Sequence, residues 1–201
     1  MSGNTVFSHF RFIALAIVLA LSVCSLAVAA APPRSIQADF VQEKEMKIFA
    51  RPLVSEGRLV FRSPDNLRWE YLKPVKSVLL MKDGAVRKLV WENGAWREDK
   101  SAGLDAMPAI LAQMTGWMEG HFDDAGGQAV FTASRDGQVV RLVPKDAGMR
   151  AVIAAIELRL AADGEQVEEV DIHESADAVT RIRFHDTVID GAIADALFTT
   201  P

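Results

Sequence analysis

The side chains that most often catalyse reactions or bind metals are sparse and scattered in this sequence. Its histidines are His9, His121, His173 and His185, and its single cysteine is Cys24. No two of them have the spacing of a metal-ligand pair, such as two histidines on one turn of a helix. We therefore expect dispersed surface or strand-face histidines, with no metal site and no cofactor.

An acidic cluster of Glu168, Glu169, Asp171 and Glu174 is the other candidate for chemistry. Paired carboxylates can act as a general acid and base. Adjacent residues of a strand point to opposite faces, so only Glu169 and Asp171 share one as close neighbours. A solvated charged face is the simpler interpretation. The sequence has neither a Gly-x-Ser-x-Gly elbow nor a glycine-rich phosphate loop, so we expect no enzyme. A lipid-acting enzyme with a nucleophile–base pair formed across strands stays open.

The N-terminal segment has the order of regions found in a secretory signal peptide. Residues 12–28 are almost entirely apolar, Arg11 precedes them, and small-residue sites for cleavage after Ala29 or Ala31 follow. A retained membrane helix is the alternative, as is lipidation at Cys24, which Val23 disfavours. Removal of residues 1–31 leaves one expected domain, 32–201, without cysteine and with net charge −6, against −5 for the full chain. We expect an exported, monomeric protein that does not bind nucleic acid and is not drawn electrostatically to anionic lipid headgroups.

Alternating strand patterns dominate the rest of the chain. Leu67, Trp69 and Tyr71 alternate with Arg68 and Glu70, which indicates one apolar and one wet face. Asp-Gly and Asn-Gly pairs supply tight hairpin turns. Strands are predicted at 57–62, 67–71, 77–82, 85–92, 95–98, 129–134, 138–144, 151–160, 165–174 and 179–186, and residues 35–47 are expected to begin as a short helix and pass into a strand. We predict a mainly β fold, a strongly curved sheet or incomplete barrel.

One long helix interrupts the strands. Apolar residues at helical spacing over Leu104–Phe122, several of them methionines, form a single stripe. A helix across the mouth of a curved sheet can leave a cavity that large side chains line. A plain core is the alternative for any one of these residues. The predicted lining for an apolar ligand is Leu59, Phe61, Trp69, Leu80, Trp91, Met107, Ile110, Leu111, Met114, Trp117 and Phe122.

Several motifs resemble the periplasmic outer-membrane lipoprotein carrier proteins, the LolA family. The segment 37–44 (QADFVQEK) is similar to the family's opening segment. Residues 57–74 are similar to its "G-x-L-x-F-x-R-P-x-x-x-R-W-x-Y-x-x-P" core, and the C-terminal ALFTTP to its ending. The resemblance implies an unclosed antiparallel β-barrel with a helical lid, LolA/LolB-like. It also implies a periplasmic carrier that shields the acyl chains of lipoproteins or a related lipid. Its donor would be an inner-membrane transporter, and its recipient an outer-membrane acceptor.

The sequence also departs from this family pattern. Members often carry Arg directly before the first Pro, an Arg that latches the lid, where this chain has Ser63. Arg62 lies one place earlier and therefore on the opposite face of the strand. This difference suggests a divergent carrier for another lipid or lipid-linked product. A lipoprotein-sensing or protein-interaction module of the same barrel type is the second hypothesis.

Overall fold

The fold is an antiparallel sheet seen in a computed structural model that describes residues 34–99, 113–114, 116–122, 130–175 and 178–201. Its strands are β1 (Ser35–Met46), β2 (Leu53–Arg62), β3 (Asn66–Lys73), β4 (Ser77–Lys82), β5 (Ala85–Glu92), β6 (Ala95–Glu98), β7 (Phe131–Asp136), β8 (Val139–Pro144), β9 (Ala155–Leu160), β10 (Val167–Ser175) and β11 (Ala178–Ile189). Residues 113–114 and 116–118 are helical. A short helix, Ala147–Arg150, and a 3-10 helix, Asp195–Phe198, complete the described elements. Within the described part of the chain, no helix has both the length and the apolar character needed to cross a membrane.

All eleven strands belong to one sheet in the order β6-β5-β4-β3-β2-β1-β11-β10-β9-β8-β7. The N-terminal strand β1 is central and pairs with β2 on one side and with β11 on the other. Strands β6 and β7 form the two edges and do not pair with each other. The prediction of a mainly β, unclosed antiparallel barrel is therefore confirmed.

The hairpin turns follow directly from the sequence. Asp83 and Gly84 have φ of 50° and 75°, and Asn93 and Gly94 have φ of 51° and 80°. Asn, Asp and Gly tolerate this left-handed region, and two-residue turns that match the twist of a hairpin require it. The predicted strands on either side, 77–82, 85–92 and 95–98, have the predicted bounds.

The sheet has two apolar faces of unequal size. The inner face carries Phe40, Leu59 and Trp69, and its buried cluster extends through β7–β11 to Phe131, Leu142, Leu158 and Ile182. The outer face carries a small cluster of Val78, Leu80 and Leu89, with Trp96 against it. The inner face is therefore the main core.

Gly57, in the family-like segment, has a packing role. A Cβ atom there would lie 2.2 Å from the carbonyl oxygen of Glu70 and 2.3 Å from the ring of Phe40. The Phe40 ring thus lies directly over the backbone of β2, which only glycine permits.

Three sequence-based expectations about elements need comment. The helical start expected for 35–47 is wrong, because Ser35–Met46 is a strand throughout, bonded on both sides. The strand expected from 151 begins at Ala155, and residues 151–154 follow the short helix instead. The predicted helix Leu104–Phe122 is helical at residues 113–114 and 116–118, while 104–112 and 115 lie outside the described residues.

Candidate functional site

Aromatic rings form the centre of the inner face. Phe40 lies 4.6 Å from Trp69, 5.4 Å from Tyr71 and 6.5 Å from Phe184, measured between ring centroids. Phe40 comes from β1 and Phe184 from the neighbouring β11, whereas Trp69 and Tyr71 come from β3, on the far side of β2. The Phe40 ring reaches them across Gly57 of β2. The Tyr71 hydroxyl donates a hydrogen bond to Gln42 Oε1 at 2.8 Å, and burial raises the pKa of this hydroxyl. The result is an apolar wall with one satisfied polar group.

A capping segment, residues 113–114 and 116–122, packs on this face. Trp117 and Met118 are buried, Met114 and Phe122 are half-buried, and all four contact the main cluster. The Trp117 ring lies 6.0 Å from Phe131. Its buried indole N–H has no hydrogen-bond partner among the described residues, which costs free energy. The capping segment is thus held by apolar packing, with one buried donor left unpaired there.

A polar contact joins the capping segment to the sheet at Ser63. The Ser63 hydroxyl donates a hydrogen bond to Glu119 Oε1 at 2.5 Å, and His121 Nδ1 lies 3.7 Å from the other Glu119 oxygen. Ser63 is the position where the sequence departs from the family's Arg. Here a neutral donor meets a carboxylate, so the capping segment supplies the charge.

Arg62 does not replace the missing Arg, as its place in the strand predicted. Its guanidinium lies 2.5 Å from Asp195 Oδ1 and 4.9 Å above the ring of Phe198. The hydrogen bond and charge of Arg62 lower the pKa of Asp195. Arg68, also on the outer face, donates to the carbonyl oxygens of Leu197 and Thr200. Both arginines therefore hold the C-terminal residues against the outer face.

Two cavities lie beside the capping segment among the described residues. A cavity of about 20 Å³ lies between Met118, Ile36, Leu59 and Phe184, which is room for about one water molecule. A groove of about 270 Å³ runs beside Phe122. The first cavity is too small for an acyl chain while the capping segment is in this position.

Polar side chains occupy one end of the inner face. The Lys44 ammonium lies 2.6 Å from Glu174, and the Thr180 hydroxyl donates to the same carboxylate at 2.6 Å. Burial by itself would raise the pKa of Glu174, but the hydrogen bonds from Lys44 and Thr180 and the Lys44 charge outweigh it, and the pKa is lowered. This end of the wall therefore holds an ionised, paired carboxylate.

Two residues of the acidic cluster, Glu169 and Asp171, are less solvated than the sequence suggested, because Glu169 is half-buried and Asp171 is buried. Glu169 bonds Arg159 and Arg183, and Asp171 bonds Arg181. Burial alone would raise the pKa of Glu169, but the two arginines lower it. Such paired, ionised carboxylates are poorly suited to general acid work. The described residues include no group of acids, histidines or cysteines that could hold a metal ion.

The structure brings together some of the predicted lining residues and separates others. Leu59, Phe61, Trp69, Met114, Trp117 and Phe122 lie in or against the inner cluster. Leu80 and Trp91 lie on the outer face, where Leu80 is buried beside Val78 and Trp91 is 41% exposed and packs on Trp96. Met107, Ile110 and Leu111 lie outside the described residues.

The lining predicted from the sequence omits several residues of the inner face. Phe40, Phe131, Ile156, Leu158 and Phe184 belong to the cluster or pack on it. The alternation of Ile156, Leu158 and Leu160 with charged residues could have identified some of them. The Glu119 contact with Ser63 has no sequence signal.

The fold and the site define a class: small unclosed β-barrels whose aromatic inner face is covered by a helical segment. The sequence profile of the family described as outer membrane lipoprotein carrier protein LolA matches residues 33–201. The chain therefore belongs to the LolA family, and such membership indicates a binding or carrier protein. None of the functionally curated proteins compared with the chain matches it.

The solved structures that align with this protein have low sequence identity to it. A LolA superfamily protein from Nitrosomonas europaea is 12% identical with a TM-score of 0.43, covering 84% of this chain and 91% of that one. A DUF1329 family protein from Desulfovibrio piger is 10% identical with a TM-score of 0.43, covering 83% and 90%. The Pseudomonas aeruginosa MucA/MucB complex contains a chain 19% identical with a TM-score of 0.39, covering 83% and 56%.

Proposed function

We propose that this protein is a non-enzymatic periplasmic carrier that shields the acyl chains of lipoproteins, or of a related lipid, between the inner and outer membranes. The observation that carries this proposal is the covered aromatic wall of Phe40, Trp69, Tyr71 and Phe184. Membership in the LolA family supports it. The apolar segment before Ala31, which has the pattern of an export signal, supports the location.

Acyl chains need such a wall because their transfer through water is unfavourable. Each CH₂ group removed from water contributes about 0.8 kcal/mol, so a chain of ordinary length does not leave a bilayer unaided. Binding must still be reversible for delivery. A wall of rings and aliphatic side chains offers area without directional bonds, which suits varied chains and a release step.

The capping segment is proposed to be the lid. The cavity beside Met118 has room for about one water molecule, so cargo enters when Trp117 and Met118 leave the inner face and acyl carbon takes their place. The exchange replaces one apolar contact by another, so its free-energy change is small. The Ser63–Glu119 hydrogen bond then sets how readily the lid opens. The donor would be an inner-membrane transporter and the recipient an outer-membrane acceptor.

Two steps test the proposal. Protein purified from the periplasm is extracted and analysed by mass spectrometry for bound lipid, and a fluorescent fatty acid is then titrated in and displaced. Bound lipid and saturable probe binding are expected. A folded protein that contains no lipid and binds no probe would contradict the proposal. A stoichiometric protein ligand without lipid would favour the interaction-module alternative.

Matched tryptophan variants locate the ligand. Trp69 lies on the inner face and is 7% exposed, whereas Trp91 lies on the outer face. Trp69→Ala should weaken probe binding by about tenfold or more, from the loss of roughly 1.5–3 kcal/mol of apolar contact. Trp91→Ala should leave probe binding unchanged. Equal effects of the two variants would contradict the assignment of the inner face.

A further inference from the structure

The exposed apolar side chains are concentrated at one end of the sheet. All of the exposed large hydrophobic residues of the described chain except Val188 and Ile189 lie at or next to the connections that follow β1, β3, β5 and β8. The densest group occupies two neighbouring connections and the strand ends next to them, residues 47–54 and 72–76, which we call the loop end. Its apolar members are Ile48, Phe49, Leu53, Val54, Leu72 and Val75, with exposed fractions from 38% to 81%.

The turn after β1 is unusual in composition. The backbone N–H of Phe49 donates to the carbonyl oxygen of Met46 at 2.9 Å, and within this turn Ile48 is 81% exposed. Gly, Asn, Asp and Ser are the residues that turns favour. A cluster of large apolar residues on a surface marks an interaction site.

The loop end is also positively charged. Lys47, Arg51, Lys73 and Lys76 are exposed, and residues 47–54 and 72–76 contain no Asp or Glu. Lys73 pairs with Glu56 at 2.7 Å, with both side chains well exposed, so the pair is readily exchanged for another anion. The loop end is therefore a local positive region of a chain whose net charge is −5, flanked by the exposed carboxylates of Glu45 and Glu56.

Exposed apolar residues surrounded by lysine and arginine are the combination that binds the surface of an anionic bilayer. Protein–protein interfaces are instead depleted in lysine, and three of the four cations here are lysines. We propose that the loop end docks reversibly on anionic phospholipid, with Ile48 and Phe49 entering the headgroup region. A few side chains and four charges give weak attachment, which allows the protein to leave.

This proposal goes beyond the carrier function, because it states which end of the protein faces the bilayer. Strand β2 runs from Leu53 at the loop end to Arg62, next to the Ser63–Glu119 contact at the other end. A protein docked by its loop end therefore keeps that contact away from the bilayer surface.

Sedimentation with vesicles tests the proposal. Protein purified from the periplasm is spun with vesicles of phosphatidylcholine alone or with phosphatidylglycerol added, at low and high salt. We expect binding only to the anionic vesicles and weaker binding at high salt. Phe49→Glu should bind at least tenfold less, and Lys76→Gln about fivefold less. Val188→Glu, an exposed apolar site at the other end of the sheet, should bind like the wild type.

The readout is independent of cargo, because a lipid molecule held on the inner face does not sediment the protein. Failure of the carrier function would leave vesicle binding intact, and failure of the loop end would leave probe binding intact. Equal binding by Phe49→Glu and the wild type would overturn the proposal, as would the absence of binding to anionic vesicles. A dimer that Phe49→Glu abolishes, without vesicle binding, would assign the loop end to a second copy of the chain and also overturn it.

Discussion

Removal of the Ser63 hydroxyl should loosen the capping segment without unfolding the sheet. The hydroxyl donates to Glu119 at 2.5 Å, and the Glu119 side chain is only 19% exposed. Hydrogen bonds to charged groups contribute about 1.5–3 kcal/mol, and the lower value suits a partly exposed pair. A loss of about 1.4 kcal/mol is a tenfold change in an equilibrium. Ser63→Ala should therefore raise the open population of the capping segment about tenfold.

Hydrogen exchange read by mass spectrometry on peptides covering residues 113–122 measures this opening directly. Ser63→Ala and Glu119→Ala should each speed exchange there by about tenfold, and the double variant little more, because each single change removes the same hydrogen bond. Ser63→Thr keeps the hydroxyl and should resemble the wild type, as should Ser55→Ala near the other end of β2. Exchange rates in Ser63→Ala that match those of the wild type, or that Ser55→Ala reproduces, would refute the role given to this bond.

Two further predictions concern the inner face. Gly57→Ala should destabilise the protein by about 1–3 kcal/mol in denaturant unfolding, because the new methyl group meets the Phe40 ring at 2.3 Å. Gly116→Ala is its control, because a Cβ atom there would lie 3.8 Å from the nearest atom, the carbonyl oxygen of His121. This variant should be neutral or stabilising. Similar losses of stability in the two variants would contradict the packing argument. Burial alone would raise the pKa of Glu174, but the hydrogen bonds from Lys44 and Thr180 and the Lys44 charge bring it below its ordinary 4.5. The ionised carboxylate therefore stabilises the fold above pH 4.5, and this stabilisation is lost as the pH falls through the folded pKa. Glu174→Gln should therefore be less stable than the wild type near pH 7, with the difference shrinking below pH 4.5, and a difference independent of pH would refute this.

The sequence predicts which face of the sheet a side chain occupies better in some strands than in others, and the reason is physical. In β3, apolar and charged residues alternate, so the face of Trp69 could be read from the sequence. In β4, Val78, Leu79, Leu80 and Met81 are consecutive, and alternation cannot say which pair faces inward. The pairing of Leu79 with Trp69 across the sheet settles it and puts Leu80 on the outer face.

Contacts between distant segments were beyond the reach of local patterns. Ser63 and Glu119 are 56 residues apart, and nothing near either residue signals the other. The expected helical start at 35–47 failed for a related reason. Two neighbouring strands, β2 and β11, pair with that segment and satisfy its backbone hydrogen-bonding groups. This long-range pairing outweighs a weak local preference for helix.

Quenching by brominated acyl chains tests most directly whether cargo lies against the inner face. Bromine quenches tryptophan fluorescence on contact, and the tryptophans divide evenly: Trp69 and Trp117 are in the inner cluster, whereas Trp91 and Trp96 pack together on the outer face. Two variants, each keeping one pair and replacing the other by Phe, are titrated with a brominated fatty acid. Saturable quenching is expected only in the variant that keeps Trp69 and Trp117. Quenching confined to Trp91 and Trp96, or no quenching of either pair by a folded protein, would contradict an acyl-chain carrier with its site on the inner face.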